Sequence, residues 1–208
     1  MRLFLSPHAC SLAADIVARE AGIPLQLEWV DVRAKKLADG SDYFSVNPKG
    51  QVPTLQMDDG QFVTEGAVIV QLLADSQPGS LLLPSALGMD RYRVLEWLSF
   101  ISSELHKGYT PLFRPNTPAE YRAISIENLN KRLAWLDTVL AGRDYLNGVR
   151  FTVADAYCYT VVSWSHVHRL DLSDWRNLTA YLARVEQRPS VQAALAAERA
   201  ELDRRAAA

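Results

Sequence analysis

Residues 2–32, RLFLSPHACSLAADIVAREAGIPLQLEWVDV, decide the fold. Arg2 to Leu5 is a short apolar run closed by Ser6 and Pro7, and it reads as a buried first strand. Ser11 to Ala21 places Leu12, Ile16 and Val17 on one side and Arg19 and Glu20 outside. That is an amphipathic helix, stopped by Gly22 and Pro24. Leu25 to Val32 alternates and reads as a second strand. A strand, a helix and a strand in about 30 residues imply a parallel pair with a right-handed crossover.

The reading extends outward from this unit. Residues 33–50 are irregular, with a short helical piece expected near Tyr43. Thr54 to Met57 and Gln61 to Thr64 flank Asp58, Asp59 and Gly60, which is a hairpin signal. Glu65 to Asp75 is helical, with Val68, Ile69, Leu72 and Leu73 on one side. The strand order is therefore β-α-β followed by β-β-α. Pro78, Gly79, Ser80 and Pro84 surround a linker, placed at 81–86. Beyond it no strand pattern is found. Helical spacing recurs over Met89 to His106, Glu120 to Ala141, Val153 to His168, Trp175 to Gln187 and Val191 to Leu202. Val94, Leu98, Ile101 and Leu105 form the apolar stripe of the first of these. The expectation is an α/β domain over 1–80 and an all-α domain over 87–208.

Composition bounds the rest. The chain has 208 residues, 49% hydrophobic and 22% charged, which excludes disorder, collagen and coiled coil. A chain this long buries roughly 70% of its unfolded surface. Net charge is −2, with residues 1–80 acidic and the remainder slightly basic. Neither part holds a basic block, so no nucleic-acid partner is expected. Two cysteines, Cys10 and Cys158, lack metal-ligand spacing and fit a reducing compartment. The apolar run at the N-terminus is broken by Pro7 and His8, unlike a signal peptide. No stretch approaches the ~20 apolar residues of a membrane helix. A soluble cytoplasmic protein is expected.

Four features could carry chemistry. Cys10 stands between a strand and a helix, where unpaired amides and the helix dipole favour an anion. A thiol there is expected to have a depressed pKa; the alternative is a small inert residue. Cys158, in mid-helix, reads as core. Val52-Pro53 leads into a strand, and a cis bond would turn the Val52 backbone outward for an extended ligand. Glu65 and Gly66 open a helix, where Gly66 would let a ligand approach the amides; the alternative is a plain helix start. Ser99, Ser103 and His106, at i, i+4 and i+7, make a polar stripe that is either a cleft wall or a solvated face. The four histidines make no metal site, since His166 and His168 face apart and His8 has no partner. Thr152 and Asp155 read as a capping box with a structural role, whose loss costs about 0.5–2 kcal/mol.

Cys10 after the first strand, then VNPKGQVPTL, TEGAVIV, ELHKG and FTVADAY in this order resemble the bacterial beta-class glutathione transferases over essentially the whole chain. Each motif is weak alone; their order and spacing carry the resemblance. It implies a thioredoxin-like N-terminal domain, an all-helical C-terminal domain and a homodimer. Glutathione enters as co-substrate, with no permanently bound cofactor and no metal. Cys10 is then the residue nearest the glutathione sulfur, able to form a mixed disulfide, and His106 is catalytic beside it. Lys35 resembles the residue that meets the glycine carboxylate, and Val52, held by Pro53, pairs with the cysteinyl backbone. Glu65 and Gly66 hold the γ-glutamyl end, with Ser99, Ser103 and Glu104 on the other wall. Thr152 and Asp155 match the family's structural capping box. Gly66 stands where many relatives have Ser, and Ser99 where Asn is usual. A lost hydrogen bond to a charged end would weaken binding by about 1.5–3 kcal/mol.

The resemblance implies conjugation of the glutathione thiolate to small electrophiles, with thiol-disulfide or peroxidase chemistry through Cys10 on the side. Tyr109, Phe113 and Trp164 are candidates for the electrophile pocket, or for core. A glutathione-dependent dehalogenase shares every residue named. A non-catalytic ligand- or protein-binding module of the same fold would have no need of Cys10, Lys35, Glu65 and His106.

Overall fold

The structure, a computed structural model, describes residues 1–85 and 88–207. Ala86, the end of the expected linker, and Leu87 and Ala208, the ends of the expected helical domain, lie outside the described residues. The chain forms two compact units, Met1–Leu83 with Arg188–Ala208, and Pro84–Gln187.

The first unit is built on β1 (Arg2–Leu5), α1 (Leu12–Glu20), β2 (Gln26–Asp31), β3 (Lys36–Leu37), β4 (Thr54–Gln56), β5 (Phe62–Thr64) and α2 (Gly66–Ser76). The sheet order is β3-β2-β1-β4-β5. β1 and β2 are parallel, as the opening stretch requires, and all other pairs are antiparallel. The hairpin turns at Gly60, with φ 88°, and closes through Met57 N–H to Gln61 O at 2.8 Å. Alternation along β1 sends Leu3 and Leu5 to one face and Phe4 to the other. α1 and α2 pack together, and Ile16, Val17, Ile69 and Leu73 are all fully buried. Phe4 packs instead with Val30, Tyr43 and Val52.

Three expectations need correction. β3 is a two-residue strand inside the segment read as irregular, too short for a periodic signal. The last helix, α9 (Pro189–Ala206), was expected in the helical domain but belongs to the first unit, where it packs on α1. Arg188 and Ser190 both bond the Glu20 carboxylate at the end of α1. The His8 N–H donates to Glu198 Oε2 at 3.1 Å, and Arg205 reaches the Val30 carbonyl at 3.3 Å. Leu82 and Leu83, read as linker, are buried and also belong to this unit.

The second unit contains α3 (Met89–Phe100), a π-helical stretch (Ile101–His106), α4 (Lys107–Phe113), α5 (Ala119–Leu140), α6 (Val153–Val162), α7 (Trp164–His168) and α8 (Arg176–Glu186). Every residue of α6 is buried, so this helix is the unit's core. The expected stripe of Val94, Leu98, Ile101 and Leu105 is buried. The helix expected to end at His106 runs on to Phe113 with Pro111 inside it. The helix expected over Val153 to His168 divides at Ser163. At Gly108 an added Cβ would lie 2.7 Å from Leu129 Cδ2, so glycine there lets α4 approach α5 closely.

Candidate functional site

In the first unit Cys10 precedes α1, beside a loop locked by Ser11, whose hydroxyl accepts from Ser6 N–H at 3.1 Å. Cys10 Sγ donates to the Val52 carbonyl at 3.1 Å. Val52-Pro53 is a cis peptide bond. Among the described residues, the Val52 N–H makes none of the backbone hydrogen bonds of turns and loops. The segment ahead of it is braced from inside. Asn47 Nδ2 donates to the Gln51 carbonyl at 2.7 Å, and the Tyr43 hydroxyl donates to the same oxygen at 2.9 Å. Lys35 Nζ donates to the Gly50 carbonyl at 2.7 Å. Cys10, Lys35, Val52 and Pro53 thus share one neighbourhood in this unit.

Glu65 and Gly66 begin α2, with Glu65 at φ 72° and ψ 110°. That is a costly conformation for a residue with a Cβ, and such strain concentrates at functional sites. His8 and Lys35, with φ 59° and 57°, are also left-handed. The Glu65 side chain does not cap its own helix. Its carboxylate pairs with Lys49, whose ammonium also reaches Thr64 Oγ1 at 2.7 Å. The amides of Val68 and Ile69 both donate to the Glu65 carbonyl at 2.9 Å. Those of Gly66 and Ala67 point from the helix end without an acceptor in the turns and loops described. An added Cβ at Gly66 would meet Pro53 Cγ at 3.7 Å, ordinary contact, so the missing side chain is not dictated by space. Lys49 carries no signal in the sequence: only the fold brings it to Glu65.

The expected depression of the Cys10 pKa is not found. Burial pushes the thiol up to about 12, outweighing the Cys10 and Ser11 amides, and the Glu65 charge adds to the rise. Residue spacing reveals the favourable helix end; it does not reveal how much water the fold removes. Cys158 is buried, as expected, and its thiol is pushed well up by the same cause.

In the second unit the polar stripe divides. Ser99 and Ser103 are exposed, and Ser103 Oγ donates to the Ser99 carbonyl at 3.0 Å. Ser103 and Glu104 line a hollow of about 320 Å³ with Gly108, Leu129 and Arg132. There the Glu104 carboxylate accepts from Arg132 Nε at 2.8 Å. His106 turns elsewhere: its Nδ1 lies 2.7 Å from the Tyr157 hydroxyl of α6, and its ring meets Trp164 edge-on at 4.9 Å. The Lys107 N–H bonds the Ser102 carbonyl, five residues back. The wider π turn breaks the 3.6-residue spacing on which the single stripe rested. Of the electrophile-pocket candidates, Tyr109 is fully buried and bonded to Ser165 at 2.6 Å, and Trp164 is 5% exposed. Phe113, 44% exposed with its ring 5.1 Å from Trp164, remains as an available wall.

The Thr152–Asp155 capping box is present. Asp155 also accepts from Leu146 N–H at 2.8 Å and the Tyr181 hydroxyl at 3.1 Å. Among the described residues no cluster of three or more His, Cys, Asp or Glu could hold a metal ion, and no helix is long and apolar enough to cross a membrane.

Residues 9–76 match the family model of the glutathione S-transferase N-terminal domain, and residues 100–189 match that of the C-terminal domain. Glutathione S-transferase GstA of Escherichia coli O157:H7 is 48% identical over 95% of this chain and 98% of its own length. A sphingomonad glutathione S-transferase, solved in complex with glutathione, is 44% identical with a TM-score of 0.92, covering 95% of this chain and 98% of that one. The beta-class glutathione S-transferase of Sphingomonas chungbukensis is 40% identical, with the same TM-score and coverage.

Proposed function

The chain belongs to the glutathione S-transferase family, and we propose that it binds glutathione along Val52 and α2 and conjugates it to small electrophiles. The observation that carries this reading is the open start of α2 beside Val52. Among the described residues, two amides there make none of the backbone bonds of turns and loops, next to a residue in a strained conformation. Such a helix end suits a carboxylate, here that of the γ-glutamyl group. The Glu65 carboxylate, already drawn out by Lys49, suits the neighbouring ammonium. The Val52 N–H and C=O suit an antiparallel pair with the cysteinyl residue, the carbonyl exchanging the Cys10 thiol for a ligand amide. Lys35 suits the glycine carboxylate. The family resemblance assigns Ser99, Ser103, Glu104 and His106 to the other wall, and His106 is the hydrogen-bond donor of the reaction.

With its thiol pushed up by burial, Cys10 holds its proton at neutral pH. The nucleophile of conjugation is therefore the glutathione sulfur. It gives up its proton, bonds to the electrophilic carbon and displaces the leaving group or opens the ring. Cys10 is its neighbour and a thiol donor. Disulfide exchange through Cys10 itself is slow near pH 7 and rises about tenfold per pH unit until the thiol ionises. The family resemblance further makes the protein a homodimer, which sedimentation at micromolar concentration would test.

Two assays on Cys10→Ala test the division of roles. Conjugating turnover is retained in part, whereas the reductant-sensitive adduct formed with oxidised glutathione disappears from the intact-protein mass. Complete loss of both activities in a folded variant would overturn it.

A further inference from the structure

Tyr157 ends the FTVADAY stretch, and its hydroxyl meets His106. The phenol is 3% exposed, inside the helix that forms the core of its unit. Its oxygen lies 2.7 Å from His106 Nδ1. The imidazole ring is also fixed in orientation, edge-on to Tyr157 at 5.9 Å and to Trp164 at 4.9 Å. Its backbone is fixed by the π turn, and its carbonyl accepts from Thr110 Oγ1 at 3.1 Å. Ring plane, backbone and one ring nitrogen are thus all set from within one unit.

The chemistry of the pair gives the bond its direction. A phenol is a good donor and a poor acceptor, while the unprotonated nitrogen of a neutral imidazole is a good acceptor. The favoured arrangement has the Tyr157 O–H donating to Nδ1. The ring then carries its proton on Nε2. We propose that Tyr157 is a positioning residue that selects the Nε2–H form of His106, the form that can donate from Nε2. The proposal rests on the reading of His106 as the reaction's hydrogen-bond donor. Donation from Nε2 is what stabilising a thiolate requires, whereas the opposite tautomer would present a lone pair to an anion. The buried tyrosine thereby fixes which face of the imidazole can act as donor.

The test separates the tautomer from the catalysis. Nitrogen NMR of histidine-labelled protein is recorded at a pH of about 8.5, above the ordinary histidine range near 6.5. The wild type is expected to show Nδ1 of His106 unprotonated and Nε2 protonated, and Tyr157→Phe is expected to show a mixture of both forms. Tyr157→Phe keeps the ring in the core, and its expected loss is about two- to tenfold in kcat with KM for glutathione unchanged. A wild-type ring protonated on Nδ1, or a Tyr157→Phe ring with an unchanged tautomer, overturns the proposal. A loss confined to KM overturns it as well. His106→Ala serves as the control on the underlying reading. If its turnover equals that of the wild type, His106 is not the donor and Tyr157 has no part in the reaction, whatever the tautomer.

Discussion

Two helix starts in this molecule face the same problem and solve it in opposite ways. α6 begins in the core. Its capping residue and the preceding loop are answered by Asp155, which takes Thr152 N–H at 2.8 Å, Thr152 Oγ1 at 2.9 Å and Leu146 N–H at 2.8 Å. α2 begins on a strained Glu65 whose side chain turns away to Lys49, and among the described residues the Gly66 and Ala67 amides make no turn or loop bond. Both ends carry the same partial positive charge. The closed one has its capping residue and the loop before it held by the chain itself and serves stability. The open one leaves its amides for a ligand and serves binding.

The contrast can be broken from either side. Asp155→Ala strips the closed end and leaves buried donors unpaired, each costing about 1–3 kcal/mol. Urea unfolding should register the largest loss of any single change named here, above about 3 kcal/mol. A loss below about 1 kcal/mol would mean that the box is ornamental. Glu65→Ala acts on the open end. It should weaken glutathione binding roughly tenfold to a hundredfold while stability moves by less than about 0.5 kcal/mol, because the side chain is exposed. Calorimetric titration and urea unfolding on one preparation would check both halves.

Glu198 lies between these extremes. It is 4% exposed and accepts the His8 N–H with one oxygen, while among the described residues Oε1 has no partner. Burial pushes its carboxyl up to about 7, with the Asp15 charge acting in the same direction. The folded state therefore keeps this proton longer than the unfolded state, whose value is near 4.5. Stability attached to the group is present below that value and lost as pH rises from about 4.5 to about 7. Glu198→Gln should remove this part of the slope in a series of melting curves. An unaltered slope would show that Glu198 is not the titrating group. The smallest effect is expected of Gly66→Ser. The added Cβ finds ordinary contact with Pro53, so folding is unchanged, and the new hydroxyl should tighten glutathione binding a fewfold. Weaker binding would mean that the bare backbone at position 66 is itself needed.

The sequence was legible where the signal is local. The β-α-β opening, the Gly60 hairpin and the Thr152–Asp155 box follow from spacing alone, and the structure contains all three. Spacing does not encode what tertiary structure decides. The α9 pattern is helical, but its place on α1 depends on Glu20 meeting Arg188, 168 residues away. The π turn before Lys107 shifts His106 away from Ser99 and Ser103, and a helical wheel cannot anticipate an extra residue. Tyr157, beside the Cys158 read as core, is buried, and its hydroxyl meets the imidazole, a contact no spacing encodes. Cys10 was placed correctly between strand and helix, but its proton affinity is set by burial rather than by the nearby helix end.

The most direct measurement is calorimetric titration of the protein with S-methylglutathione and with the S-methylated cysteinylglycine that lacks the γ-glutamyl group. Methylation removes the thiol chemistry and leaves binding alone. If the open start of α2 holds the γ-glutamyl end, the tripeptide should bind at least about tenfold more tightly, the worth of one hydrogen bond to a charged group. Equal affinities would contradict the account, because the open amides and Glu65 would then contribute nothing to recognition.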